Sequence, residues 1–382
     1  MEKKLRAEAE FFMIYLDNAA TTLKKPQIVY DTLYNYTVKH GANALRGNYA
    51  QSLVSSNVII EAQEAVAELF NIKKSQNIVF TQNATYALNT AILGTLKRSD
   101  HAIISQMEHN SVIRPVHGLC SYTIAGADEQ GFVSPYRIEK AIRQNTRLIA
   151  ITHASNVCGT IQDIKTIANI AHKNNIKLLI DTAQTAGIED INNQVLDADF
   201  IAFSGHKGLM GPMGTGGLYI KNPHELKAII KGGTGSESQN INQPENMPDK
   251  FHSGTLNTPA LAAMVQGIKY IKNIGIKRIS DYEKELARYL KSELRNVDGV
   301  KVYGAENAIG NVAFNIGRLD SGEAVEMLRG FALRAGYHCA PYAHDALGTR
   351  DTGAIRASFG IFNTKNDARA LVDAVHRIAK NV

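Results

Sequence analysis

The sequence predicts an α/β fold, with a mostly parallel sheet covered by helices in a large domain and a smaller α/β domain after it. Three observations predict it. Between Gln76 and Ile220, short apolar runs alternate with amphipathic stretches, the pattern of a parallel sheet with helices on both faces. Four of the predicted strand ends carry polar groups, and such sheets bind ligands at the carboxyl ends of their strands. The chain of 382 residues is long enough for a large domain with its own core plus a smaller one.

Strands are expected at Asn77–Thr81, Ala102–Ser105, Leu148–Thr152, Leu178–Asp181, Phe200–Ser204 and Gly217–Ile220, with helices at Ala84–Leu96, Tyr136–Asn145 and Ile164–Lys173. Between Gly232 and Gly254 the text turns polar, rich in Gly, Ser, Asn, Gln and Pro. A loop of this length is often functional. Helices follow from Thr258 to about Asn273 and from Ser280 to Leu294. Then come strands at Val300–Tyr303 and Val312–Ile316, a helix at Gly322–Ala335, a strand near Ala354–Phe359 and a last helix at Lys365–Ala379. The division expected is an N-terminal arm over 1–25, a large domain over 26–258 and a small one over 259–382.

Composition narrows the function classes. Hydrophobic residues make up 44% and charged residues 20%, as in an ordinary globular protein. No apolar run reaches the roughly 18 residues of a membrane span. The net charge of +6 is scattered, with no basic block interleaved with aromatics, so nucleic acid is not an expected partner. Three cysteines, Cys120, Cys158 and Cys339, are too few for a disulfide framework and show no metal-ligand spacing. They point to a reducing, cytoplasmic setting. Residues 1–12 are charged, lack a signal-peptide apolar core, and stay outside the fold argument.

Four strand ends carry candidate chemistry. Asp181-Thr182-Ala183-Gln184 follows Leu178-Leu179-Ile180. Taken alone, an Asp there is more often a helix N-cap. Ser204-Gly205-His206-Lys207 follows Phe200–Phe203 and precedes the glycine-rich Gly208–Gly217. A lysine there is either a solvated loop residue or a buried functional one, and burial without purpose is rare. Gln82-Asn83-Ala84-Thr85 ends a strand and opens a helix, where free backbone amides make a phosphate site, although most helix starts bind nothing. Glu108-His109-Asn110 follows Ala102–Ser105, and a lone histidine is more often structural.

In this order the four resemble the fold-type I pyridoxal-phosphate enzymes, specifically the class V aminotransferase superfamily, over nearly all of Ile14 to Ala379. Tyr15-Leu16-Asp17-Asn18-Ala19-Ala20-Thr21-Thr22 looks like that family's N-terminal segment. Asn43-Ala44-Leu45-Arg46-Gly47 is similar to the Asn-x-x-Arg-Gly of Suf-type members. Gly254-Thr255-Leu256-Asn257-Thr258 resembles the segment that reaches a partner subunit's cofactor phosphate. Near the C-terminus, Arg334-Ala335-Gly336-Tyr337-His338-Cys339-Ala340-Pro341 is similar to the Arg-x-Gly-x-His-Cys-Ala loop of group II cysteine desulfurases. Arg356-Ala357-Ser358 with Phe362-Asn363-Thr364 resembles their substrate-carboxylate segment. The continuation Pro341-Tyr342-Ala343-His344 departs from the better-known group II members, and Asn83 stands where many relatives have Gly.

The resemblance implies roles. Lys207 would carry pyridoxal 5'-phosphate and shuttle the substrate's α-proton. Asp181 would hold the pyridine nitrogen protonated, Gln184 would meet the ring hydroxyl oxygen, and His109 would stack on the ring. The Ala84 and Thr85 backbone, with the Ser204 and His206 side chains, would hold the phosphate, and Thr255 would add a contact from the second subunit of a homodimer. Asn156 and Arg356 would fix the substrate carboxylate, and Arg334 would support either that carboxylate end or the nucleophile loop. Cys339 would be the nucleophile; most free cysteines are small buried hydrophobes, but Gly336, His338 and Pro341 around it favour a reactive loop. Cys120 and Cys158 read as packing residues. The implied activity is conversion of L-cysteine to L-alanine with a persulfide on Cys339 and transfer to a sulfur-acceptor protein. Selenocysteine lyase, with L-selenocysteine as substrate and a selenium acceptor, is the close alternative. An aminotransferase would leave Cys339 without a task, and an idle binding protein would have no need of Asp181, Lys207 and Arg356 together.

Overall fold

The structure is a computed structural model and describes residues 13–44 and 47–382. Leu45 and Arg46 of the Asn-x-x-Arg-Gly motif lie outside the described residues. In chain order the strands are β1 (Ile14–Tyr15), β2 (Ile78–Thr81), β3 (His101–Ser105), β4 (Ser121–Ala125), β5 (Thr146–Thr152), β6 (Lys177–Asp181), β7 (Phe200–Ser204), β8 (Gly216–Ile220), β9 (Val300–Tyr303), β10 (Asn311–Ile316), β11 (Phe331–Ala332), β12 (Arg334–Gly336) and β13 (Ala354–Ser358).

The central sheet has the order β2-β8-β7-β6-β5-β3-β4. β8 runs antiparallel to both neighbours and the remaining pairs are parallel. Its strands read as continuous apolar runs because both faces are covered. The pleat sorts alternate residues between two cores. Ile103, Ile149, Ile151, Leu178, Ile180, Ile201 and Phe203 face one, while Ala102, Ile104, Leu148, Ala150, Leu179 and Ala202 face the other. Each buried Ile or Leu contributes about 1.5–3 kcal/mol. The edge strand β4, not expected from the sequence, is only part-buried, so it lacks the apolar run of its neighbours.

A second, antiparallel sheet has the order β12-β13-β10-β9. It packs with the helices Ile276–Arg295 and Lys365–Ala379 around Leu286, Leu290, Phe314, Ile355, Leu371 and Val375. Leu16 belongs to this core as well. β1 pairs in parallel with β11, and Asp17 bridges Ser358. The helix expected over Gly322–Ala335 is a correction: it spans Ser321–Met327 and stops there. Beyond Gly330, β11 and β12 take strand partners in β1 and β13, and these long-range ladders outweigh local periodicity. The expected Tyr136–Asn145 helix is likewise shorter, Pro135–Lys140. Helices at Gln27–His40 and Ala50–Leu69 precede the sheet. Residues 231–257 contain neither helix nor strand. No helix among the described residues is long and apolar enough to cross a membrane.

Candidate active site

β2 runs through Gln82 into Asn83, which caps the helix Ala84–Thr95: its Oδ1 accepts the Tyr86 N–H at 3.2 Å. The Ala84 and Thr85 amides keep no partner among the described residues, so they form a ready anion site. Gly216 of β8 backs this turn. A Cβ there would lie 2.7 Å from the Asn83 backbone, so only glycine fits. At the end of β7, Ser204 Oγ is buried and unpaired. An orphaned buried hydroxyl is costly unless a ligand meets it. His206 Nδ1 lies 3.0 Å from Thr21 Oγ1. Its ring, Gln82, Asn83 and the same chain's exposed Thr255 line one cleft of about 670 Å³.

Lys207 Nζ has no hydrogen-bond or ion-pair partner among the described residues. Burial pulls its pKa from the usual lysine value down to about 8, while Asp181 works against that shift. Asp181, at the end of β6, is buried and accepts the Ala183 N–H at 2.9 Å. Burial raises its carboxyl pKa, and the Ala183 bond and Lys207 pull it back. Gln184 is engaged at both ends: Nε2 donates to Ala19 O at 3.1 Å and Oε1 accepts from Asn311 at 3.5 Å. The expected ring-hydroxyl contact would have to share the amide with those partners.

His109 caps the helix Asn110–Val116. Its Nδ1 accepts the Ser111 N–H at 3.0 Å and faces Ser111 Oγ at 2.9 Å. That assigns the proton to Nε2. Burial first, then Lys207, lowers its pKa to about 4, so the imidazole is neutral. Beneath it, Glu108 is fully buried. Its Oε1 accepts from Ser105 Oγ and from the Thr152 N–H, tying the ends of β3 and β5 together, and its Oε2 is unpaired. Burial raises this carboxyl to about 8, with Asp181 adding to the rise.

Arg356, on β13, is almost wholly buried. Nη1 donates to Asn156 O and Nη2 to Asp17 Oδ1, both at 2.7 Å, and Nε is left unpaired. Nε and the second Nη2 hydrogen lie on one edge of the guanidinium, the edge that takes a carboxylate bidentately. Arg334 Nη1 approaches Asp17 Oδ2 at 3.8 Å and its side chain is half exposed. Two arginines and one aspartate leave a net single positive charge. Asn156 does not present its amide freely, because Nδ2 donates to His338 O at 2.7 Å.

Cys339 is exposed. It and His338 form the centre of a turn closed by the Ala340 N–H to Tyr337 O at 2.8 Å. Both have left-handed backbones, with φ of 50° at His338 and 57° at Cys339, where Asn or Gly is usual. Such residues cost about 1–3 kcal/mol each and persist only where the surroundings impose them. Here two bonds do so: Asn156 holds His338 O, and the Asn110 N–H donates to Cys339 O at 2.7 Å. The Cys339 turn is thus joined to the His109 helix start and, through Asn156, to Arg356. Cys158 is buried and Cys120 part-buried, as expected of packing residues.

The structure therefore bonds Arg356 to Asn156, Asn156 to His338, and Cys339 to Asn110 next to His109, with Lys207 and Asp181 at neighbouring strand ends. Sequence reasoning gave no role to Asp17, Glu108 or His344. The signal for Asp17 was its place as the lone acid of the N-terminal motif. For Glu108 it was a carboxylate directly after a buried strand.

The family Aminotransferase class-V matches residues 14–371. A probable cysteine desulfurase from Methanothermobacter thermautotrophicus is 35% identical, covering 96% of this chain and 94% of that protein. One from Halalkalibacterium halodurans is 33% identical over 96% and 93%. The apo structure of the cysteine desulfurase from Thermococcus onnurineus NA1 superposes with a TM-score of 0.90 at 30% identity, covering 97% of this chain and 95% of that one. An Escherichia coli cysteine desulfurase gives 0.86 at 27% identity, over 100% and 98%. The chain belongs to the aminotransferase class-V family, and within it to the cysteine desulfurases.

Proposed function

We propose that this chain is a pyridoxal-phosphate-dependent cysteine desulfurase that converts L-cysteine to L-alanine and takes the sulfur onto Cys339 as a persulfide. The observation that carries it is the exposed Cys339 turn, bonded to Asn110 and Asn156 beside the strand ends that bear His109, Asp181 and Lys207. The named activity of the matched relatives supports the same assignment.

The residues fit the cofactor. Two free helix-start amides and the orphaned Ser204 hydroxyl suit a phosphate, and the buried Asp181 carboxylate suits a protonated ring nitrogen. His206 and Thr255 line the adjoining cleft. When bound, pyridoxal phosphate supplies an electron sink next to the substrate's α-carbon. Lys207, with its pKa lowered to about 8, has a neutral amine fraction that takes the α-proton and returns a proton to product. The Nε–Nη2 edge of Arg356 binds the substrate carboxylate, and Asp17 and Asn156 each hold one of the remaining guanidinium hydrogens. His109, neutral with its proton on Nε2, is placed to handle the substrate thiol proton. The Cys339 thiolate attacks the substrate sulfur: the S–S bond forms, the Cβ–S bond breaks, and the carbon keeps the electron pair and gains a proton. Cysteine and the enzyme thiol thereby become alanine and an enzyme persulfide.

A homodimer with Thr255 facing the partner's phosphate site, a sulfur-acceptor protein, a cytoplasmic setting and the division at 25 and 258 complete the proposal. Selenocysteine lyase is the second outcome of the test. Pure protein is incubated with cysteine and, separately, with selenocysteine. Alanine is assayed, and the Cys339 peptide is weighed by mass spectrometry. Wild type is expected to form alanine from cysteine and to carry one extra sulfur on that peptide. Cys339→Ala is expected to lose alanine formation from cysteine and to keep substantial activity on selenocysteine. Cysteine turnover at the wild-type rate in Cys339→Ala would make the thiol merely structural.

A further inference from the structure

Five residues beyond Cys339, in the segment where this chain departs from the better-known group II sequences, stands His344. It lies on the short helix Pro341–Leu347 and is fully buried. Its Nδ1 is 2.7 Å from Thr349 Oγ1, and its Nε2 is 3.5 Å from His338 Nδ1. His338 Nε2 in turn is 3.3 Å from Arg334 O. The two imidazoles are nearly parallel, inclined by 11°.

Donor and acceptor logic fixes the protons in this row. The Arg334 carbonyl only accepts, so His338 Nε2 carries a hydrogen. Neutral His338 then has a lone pair on Nδ1, which requires a hydrogen on His344 Nε2. Neutral His344 has its own lone pair on Nδ1, and the Thr349 hydroxyl donates to it. Burial keeps both rings neutral, and His338 is lowered to about 3. The Thr349 N–H closes the unit by donating to His344 O at 2.9 Å. Tyr337 packs its ring edgewise on His344 at 5.2 Å, and its hydroxyl donates to Arg350 O at 2.6 Å. The row therefore grips the side chain of one of the two left-handed residues of the nucleophile turn, while Asn156 grips that residue's carbonyl.

We propose that His344 is a positioning residue for Cys339: held by Thr349, it bonds His338 and thereby keeps the strained turn in the form that presents the thiol to the site. It touches neither substrate nor the reacting sulfur. The proposal rests on Cys339 being the nucleophile, and its test is arranged to separate the two.

Three variants of the cofactor-loaded full chain serve. His344→Phe keeps the bulk and loses both bonds. His344→Gln keeps a donor for His338 and an acceptor for Thr349. Thr349→Val removes only the far link. Two rates are read: single-turnover persulfide formation on Cys339 with cysteine, and alkylation of Cys339 by iodoacetamide without substrate, both by peptide mass spectrometry. Cofactor absorbance and KM for cysteine are measured alongside. In His344→Phe, persulfide formation is expected to fall by roughly 10- to 100-fold, the scale of a small misplacement of a reacting group. KM and absorbance should stay near wild type, and the alkylation rate should change. His344→Gln should restore most of both rates, and Thr349→Val should fall between. Equal losses in Phe and Gln variants, or no loss in either, would overturn the proposal. If His344→Phe does not fold, a wild-type rate in Thr349→Val overturns it. If wild type itself forms no persulfide, the desulfurase assignment fails, while the alkylation rates still decide the role of His344.

Discussion

The Lys207 and Cys339 regions are built on different principles. Lys207, Asp181, His109 and the Asn83 turn each follow directly from the end of a strand of the central sheet. Cys339 sits beyond the short strand β12 of the small sheet, in a turn with two residues at positive φ. Its conformation comes from bonds to Asn110, Asn156 and His344's row, all outside the turn. One region is positioned by topology and loads its cost onto desolvated groups. The other is positioned by distant hydrogen bonds and loads its cost onto the backbone.

Substitutions should separate these two kinds of cost. The largest effect is expected for Lys207→Ala, which removes the amine proposed to transfer the α-proton. Alanine formation from cysteine should fall by about 1,000-fold, and a loss below tenfold would displace Lys207 from that role. Asp17→Asn comes next. It leaves the buried Arg356 guanidinium without its carboxylate, and should lower stability by about 3 kcal/mol, read by denaturant unfolding. Loss of stability with no change in KM for cysteine would show that Asp17 does not set the charge met by the substrate.

Cys339→Gly tests the backbone cost directly. The side chain is exposed, so little packing is lost, and glycine takes positive φ freely. Stability should rise by about 1 kcal/mol relative to Cys339→Ala, while neither variant forms a persulfide. Equal stability of the two would mean that the turn is unstrained. The last effect, read through its pH dependence, concerns Glu108. Its folded pKa, about 8, lies above the unfolded carboxylate value, so the native state holds a proton that the unfolded chain has lost. Stability from this group is full below the unfolded value and is lost as pH rises toward 8. Glu108→Gln should therefore gain on wild type across that window in thermal unfolding. A difference that is flat with pH would contradict the buried, protonated carboxyl.

The same contrast explains what could be read in advance. Strands β2, β3, β5, β6, β7 and β8 were visible as apolar runs because both faces are buried, and their polar ends stood out. The part-buried β4 was not visible. The helix read over Gly322–Ala335 failed because β11 and β12 owe their form to β1 and β13, hundreds of residues away or across a turn. Asp17 is matched to Arg356 across 339 positions, and Glu108 and His344 depend on which way their side chains turn inside the fold, which sequence alone does not show. Asn156 and Gln184 were found as polar residues near the site, but their bonds to His338, Ala19 and Asn311 depend on tertiary placement.

The pairing of Asp17 with Arg356 spans 339 positions, and Asn18 reaches Ser358 across 340. The first described strand also closes against β11, deep in the C-terminal half. Contacts of such sequence separation form late, because the intervening chain must first be ordered. During synthesis, the large sheet can assemble while its N-terminal segment still waits for partners that the ribosome has not yet released. Asp17 therefore gains the guanidinium of Arg356 only near completion of the chain, and a protein cut short before β13 would keep the large sheet while this buried ion pair never formed.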